Sequence, residues 1–278
     1  MSAPRPRRTL ARPAARQGVG VHSGQPCRVR LLPAPLGAGV VFRTPQGDVP
    51  ARLEFLESGV QRTVLRCGAA QVSTVEHLLA ACWALGVDDL LVAVDGPELP
   101  ILDGSAKPWV QALQQARIIE AGGEATPLRV RRAVEVREGA RSMRLEPDGR
   151  LVLAVEIAFA EPGIGRQAGV FRMAPEPFAH AIAPARTFGP AAALPALRAQ
   201  GLARGASLAN TVAFAKGGVL NARGLRFPDE PLRHKVLDLL GDLALLGRPL
   251  AARLDARQPG HALTHALLRK AMALSALE

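Results

Sequence analysis

The 278 residues are 48% hydrophobic and 21% charged, which excludes a disordered or fibrous chain and is enough for two domains with cores of their own. The formal net charge of +11 calls for an anionic partner, whether nucleic acid, a phosphorylated small molecule or an anionic membrane surface. Tyrosine is absent and aromatics make up 4%, so the stacking platforms of single-strand binders are missing. No apolar run approaches the roughly 20 residues of a membrane span, and Arg5, Arg7, Arg8, Arg12 and Arg16 are followed by no apolar signal core, which speaks against export. Cys27, Cys67 and Cys82 are odd in number and scattered through apolar stretches. They read as buried thiols in a reducing compartment rather than as a disulfide frame or a cysteine zinc site.

In chain order, residues 18–24 (Gly-Val-Gly-Val-His-Ser-Gly) form a glycine-rich turn. Cys27, Val29 and Leu31 then alternate with arginines, as in a half-buried strand. Further strands are expected at 40–43 and 63–66, a helix over 73–85 stopped by Gly86, a buried strand at 90–94 and a helix over 106–116. Residues 121–127, with two glycines and a proline, read as the linker between halves. Beyond it come strands from Leu128 to Val136 and at 151–157, a short helix at 177–182 and a strand at 211–214. The longest helix is expected over 231–246, with Gly247 as its stop.

The halves echo one another. His77-Leu-Leu-Ala-Ala-Cys-Trp-Ala-Leu-Gly86 lies over Asp238-Leu-Leu-Gly-Asp-Leu-Ala-Leu-Leu-Gly247, and in both a short strand, a loop and a last helix follow. A duplicated β-α-α-β unit accounts for this, although leucine-rich helices also resemble one another by chance.

His234, Asp238 and Asp242 recur every fourth residue on a helix face apart from the apolar stripe, so their side chains stack along one line. An i, i+4 His/Asp pair is a metal-ligand device; it is also a common solvated hydrogen-bonded pair. Ser73-Thr-Val-Glu76 fits a capping box, with Glu76 returning to the Ser73 backbone N–H, and His77 fits an exposed first-turn histidine. Alternatively, His77 completes a two-His, one-Asp set with an open fourth position, and Glu76 is the carboxylate that takes a proton beside it. His261 and Thr187 have two readings each. His261 caps or packs its helix, or acts as an imidazolium held by Asp242; Thr187 is a turn hydroxyl, or a donor to an oxyanion.

Seven segments occur in one order: Gly18-Val-Gly-Val-His22-Ser-Gly24, Ser73-Thr-Val-Glu-His-Leu78, Pro100-Ile-Leu-Asp-Gly-Ser-Ala106, Ala185-Arg-Thr-Phe-Gly189, Gly224-Leu-Arg-Phe227, Arg233-His-Lys-Val-Leu-Asp238 with Gly241-Asp242, and Gly260-His-Ala-Leu263. Together they closely resemble the UDP-3-O-acyl-N-acetylglucosamine deacetylases, from about Thr9 to Lys270. The resemblance implies an α+β fold of two pseudo-symmetric β-α-α-β domains, 1–122 and 123–278, with helices packed between sheets and the active site at the domain interface. It implies zinc-dependent hydrolysis of the N-acetyl group of UDP-3-O-acyl-N-acetylglucosamine, an early committed step of lipid A biosynthesis in a Gram-negative bacterium. By match to the family's motifs, Zn²⁺ is bound by His77, His234 and Asp238. Glu76 is the general base, and His261, oriented by Asp242, is the general acid or electrostatic stabiliser. Thr187 serves the carbonyl, while Lys235, Phe188 and Gly189 contact the substrate. An insert near 188–222, apolar over 190–206, is expected to shape the acyl-chain passage. A cytoplasmic monomer is implied, with no nucleic-acid partner, no transmembrane segment and at most peripheral contact with the inner membrane. One departure is Ala209, where family members often carry an acid.

Two other functions remain for test. Another zinc amidohydrolase would keep the metal set and Glu76 but need neither Lys235 nor the apolar insert. A nucleic-acid binder is suggested by charge alone, without a stripe of basic residues or a recognised motif.

Overall fold

A computed structural model describes residues 3–278 apart from Ser58 and Val60. It is a mixed α+β molecule with two five-stranded arrays at its centre. In the first, the strands run Ala14–Val19, Pro26–Pro33, Leu90–Val94, Val40–Thr44 and Gly47–Pro50 across the sheet. In the second they run Val134–Glu138, Arg141–Pro147, Leu250–Arg257, Val152–Ala158 and Arg166–Arg172, with Leu128–Arg129 added beside Leu250–Arg257. Order and sense agree strand for strand. In each sheet the late-arriving central strand pairs antiparallel to the second strand of that order and parallel to the fourth.

That arrangement follows from where the helices fall. The central strand Leu90–Val94 comes after the helix Glu76–Leu85, and Leu250–Arg257 comes after the helix Glu230–Leu243 and its single 3₁₀ turn Ala244–Leu246. Each helical run ends at a glycine in the left-handed region, Gly86 at φ 70° and Gly247 at φ 70°, a conformation that costs other L-residues more. A helical crossover of that length is what a parallel strand pair needs. The helices Lys107–Gln115 and His261–Ala273 follow and pack on their own sheets, against Ala14–Val19 and against Val134–Glu138 with Arg141–Pro147 respectively.

The helices Glu76–Leu85 and Glu230–Leu243 cross in contact with one another. Gly241 allows the crossing, because a Cβ there would lie 2.2 Å from the Glu76 carbonyl oxygen. All but one residue of Glu76–Leu85 is buried, Glu76 and His77 included. The apolar stripe is therefore not the only buried face, because the partner helix covers the polar one. Among the described residues no helix is long and apolar enough to cross a membrane.

Three expectations are corrected, and one segment left unassigned is placed. Ser73 ends the strand Ala70–Ser73 and gives its N–H to the Pro97 carbonyl, so there is no capping box; the helix starts at Glu76 behind Val75, with no side-chain cap. The 121–127 stretch is not a free linker, since most of it lies in the strand Ile118–Ala125, which pairs antiparallel with Arg5–Leu10. The glycines at 122 and 123 take positive φ there, and the pairing shifts register beside them. The arginine-rich N-terminus is likewise strand, and Arg5 and Arg7 form bidentate pairs with Asp88 and Asp89, acids 80 residues away that sequence reading could not assign to them. Finally, Cys27 and Cys82 are buried, but Cys67 sits half-buried near the end of a short hairpin.

Candidate active site

The crossing of the two helices brings their polar faces together. His77 Nε2 lies 3.8 Å and His234 Nε2 3.4 Å from the same atom, Asp238 Oδ1. The His77 and His234 rings meet edge to face with centroids 5.1 Å apart. His234 is turned by its other nitrogen, 3.1 Å from the Ala185 carbonyl, so Nδ1 carries a proton and Nε2 presents a lone pair. Burial lowers the pKa of both imidazoles, that of His77 to about 3 with help from the neighbouring His234. Burial alone would raise Asp238, but the charges of Lys235 and the histidines hold it below the usual carboxylate range. Two neutral ring nitrogens and an anionic oxygen therefore face one another within 4.8 Å. Such a donor set has the type, number and spacing of a cation site.

Glu76, one residue before His77, meets different partners. Its Oε2 accepts the Thr63 backbone N–H at 3.2 Å, and its Oε1 is 4.0 Å from His261 Nε2. Burial raises the carboxyl to about 7 despite the opposing charge of His261. His261 stands at the first position of its helix, with Nδ1 2.9 Å from Asp242 Oδ2. Burial alone would lower His261, but the charge and hydrogen bond of Asp242, with the charge of Glu76, raise it to about 9. Burial would raise Asp242 in turn, and the charges of His261 and His265 outweigh that. The result is a carboxyl with a proton affinity near neutrality beside an imidazole that holds its proton, the pattern of an acid–base pair.

Glu76, His77, His234, Asp238 and His261 line a chamber of about 590 Å³. Thr187, Phe188 and Gly189 form part of its wall. Their segment is held by a buried ion pair, in which Arg186 donates from Nε and Nη2 to the two oxygens of Glu230 at 2.8 and 3.0 Å. Glu230 begins the helix that carries His234 and Asp238, so one pair fixes the wall relative to two of the three donors. Phe188 packs edge to face against Phe159, Phe214 and His234. Lys235 also reaches the chamber, but its Nζ is 2.8 Å from Asp238 Oδ2. A second cavity of about 330 Å³ shares Val21, His22, Phe188 and Leu197 with the chamber and continues among Leu194, Leu208 and Leu220. Leu194 and Leu197 belong to the short, half-exposed helix Leu194–Ala199.

The sequence model of the UDP-3-O-acyl N-acetylglycosamine deacetylase family matches residues 7–273. The chain belongs to that family. Among its relatives are UDP-3-O-acyl-N-acetylglucosamine deacetylases of Anaeromyxobacter sp. and Myxococcus xanthus, each 42% identical, over 96% and 95% of this chain and 88% and 86% of their own. That of Solibacter usitatus is also 42% identical, over 95% of this chain and 90% of its own.

The motif residues Glu76, His77, Thr187, Phe188, Gly189, His234, Lys235, Asp238 and His261 all line the one chamber, with Asp242 directly behind His261. Sequence reading missed Thr63, whose hydroxyl donates to Asp242 Oδ1 at 2.6 Å and whose N–H holds Glu76. It missed Glu98 as well, which ties the His22 loop to Thr74 through Oε1 and holds the Ser23 N–H on Oε2. Arg141, on the chamber rim, was also missed. Thr63, Glu98 and Arg141 stand outside the seven motifs, and only their tertiary neighbours distinguish them from other polar residues. At the departure, Ala209 is exposed, and Asn210 Oδ1 accepts the Ser207 N–H that closes the turn.

Proposed function

We propose that this protein hydrolyses the N-acetyl amide of UDP-3-O-acyl-N-acetylglucosamine, releasing acetate and the free amine, as a cytoplasmic zinc enzyme of lipid A biosynthesis. The observation that carries the reading is the convergence of His77 Nε2, His234 Nε2 and Asp238 Oδ1 next to the Glu76–His261 pair. His77, His234 and Asp238 would hold Zn²⁺, which supplies Lewis acidity for the carbonyl and for water at neutral pH. Glu76 takes a proton from the attacking water as its oxygen adds to the carbonyl carbon. His261 gives its Nε2 proton to the departing nitrogen when the C–N bond breaks, and Asp242 holds the ring in that orientation through Nδ1. The Thr187 hydroxyl donates to the carbonyl oxygen as negative charge builds there. Phe188 and Gly189 flank the sugar, and Lys235 and Arg141 bring positive charge to the rim for the diphosphate. The apolar cavity beyond Leu197 takes the 3-O-acyl chain.

The matching strand orders of the two sheets support reading the chain as two copies of one unit, about 1–122 and 123–278, with the catalytic groups drawn from both. The test is elemental analysis joined to a deacetylation assay on UDP-linked and free acyl-glucosamines. We expect about one zinc per chain, large loss of it in His77→Ala and Asp238→Ala, and turnover confined to the UDP-linked substrate. Wild-type zinc content in both variants would remove this ligand set, and equal turnover of the free sugar would make the protein a general sugar amidase.

A further inference from the structure

Asp242 is the point where buried polar groups from three segments meet, and one of them has no part in the chemistry above. His265 follows His261 by one helical turn, is 5% exposed, and places Nε2 3.1 Å from Asp242 Oδ1. Among the described residues that nitrogen has no well-aligned hydrogen bond, to Asp242 or to any other group, and what it faces at 3.1 Å is the Asp242 carboxylate. The Thr63 hydroxyl donates to the same Oδ1, while His261 Nδ1 lies closest to Oδ2. The two imidazoles are 6.0 Å apart and tilted by 38°, so each addresses the carboxylate separately instead of stacking. A buried ring nitrogen is costly where an apolar side chain would fill the space, unless it meets a charge.

We infer that His265 is a positioning residue for His261 and acts through Asp242. With Thr63 it sits against Oδ1, from which His261 Nδ1 is also 3.1 Å, and so favours the shorter contact of His261 with Oδ2 at 2.9 Å. It also draws off part of the charge that Asp242 exerts on His261. The inference rests on the acid role assigned to His261. The other charges felt at His261 come from Glu76 and His77 on one helix, Asp238 on the other and His22 on its loop, and none of these is altered by a change at His265. Without it Asp242 pulls harder on the His261 proton, so His261 gives that proton up only at higher pH.

The experiment compares His265→Leu, which donates nothing, with His265→Gln, whose amide N–H reaches the same oxygen. Three quantities are read in the full-length protein: kcat and KM, the alkaline limb of the pH–rate profile, and the midpoint of the His261 ring signals in a proton–carbon NMR titration. His265→Leu should lower kcat about tenfold, the worth of one hydrogen bond to a charged group. Its KM should be unchanged, and both the limb and the NMR midpoint should move to higher pH. His265→Gln should restore most of kcat and return the midpoint toward wild type. Should His265→Leu fail to fold, His265→Asn, too short to reach Oδ1, should reproduce its effects. A folded His265→Leu with wild-type kcat and midpoint overturns the inference. So does equal loss in the Leu and Gln variants with an unmoved midpoint, since that is a packing defect. If the deacetylase reading itself fails there is no kcat to compare, and the NMR midpoint still decides the role of His265.

Discussion

At the scale of single residues, the proposed mechanism divides the proton chemistry between Glu76 and His261 by their surroundings. Glu76→Gln keeps an acceptor for the Thr63 N–H, so the helix start and the metal site should survive. What it loses is proton uptake, and a general base contributes about 10²–10⁴-fold. We expect a rate loss in that range with zinc content unchanged; near-normal kcat would reduce Glu76 to a structural acceptor. In the proposed mechanism His261 works in its charged form, which Asp242 and Glu76 favour enough to overcome burial and lift it to about 9. The imidazolium is thus complete well below that pH and is lost as pH rises through it. The rate should fall on the alkaline side accordingly, and His261→Ala should be slow with that limb removed. A limb that persists unchanged in His261→Ala assigns it to another group.

At the scale of elements, the site depends on how closely two helices approach. Gly241 lies one residue before Asp242 and directly under Glu76, where a methyl group would meet the carbonyl and Cα of Glu76 at 2.2 and 2.7 Å. Backbone cannot yield as a side chain can, so Gly241→Ala should push the helices apart. Overpacking of this kind costs about 1–3 kcal/mol, and a displacement of a few tenths of an ångström at Glu76 is magnified in catalysis because proton transfer demands hydrogen-bond reach. A thermal melt should show a lower Tm, and the assay should show a larger fractional loss of kcat than of zinc. Retention of both Tm and kcat would mean that the crossing has slack. Elements also explain part of the charge. Arg5 and Arg7 cover Asp88 and Asp89, and Arg186 neutralises Glu230, so these cations are committed within the fold and do not await an anionic partner.

At the scale of the whole molecule, the catalytic chamber and the apolar cavity are neighbours that share Phe188 and Leu197 in their walls. An acyl passage there should make catalysis depend on acyl length. Each methylene buried is worth about 0.8 kcal/mol, so removing several should lower kcat/KM by orders of magnitude. Leu197→Glu should harm the long-chain substrate far more than a short-chain analogue, and its half-exposed helix gives the charged variant a fair prospect of folding. Equal kcat/KM for long and short chains in the wild type would show that the cavity takes no acyl group.

The order of residues along the chain was enough to place most of the elements and to single out Glu76, His77, His234, Asp238 and His261, though not Thr63, Glu98 or Arg141. Period and stop signals located the two crossing helices, because 3.6-residue spacing and a closing glycine are local properties of the chain, and the i, i+4 spacing of His234, Asp238 and Asp242 put three polar groups in line without reference to anything else. It could not distinguish a solvated face from a buried one: the helix face bearing Glu76 and His77 is polar in sequence and is covered only because another helix crosses it at Gly241. Tertiary structure alone decided that Glu76 answers to Thr63 and not to Ser73, that the arginine-rich N-terminus pairs with acids 80 residues on, and that residues 121–127 are mostly strand and not linker. It also brought His265 to Asp242. Hydrogen bonds and ion pairs between distant segments leave no period in the chain. Whether a carboxyl ends near 7 or an imidazole near 9 depends on the buried company each keeps after folding.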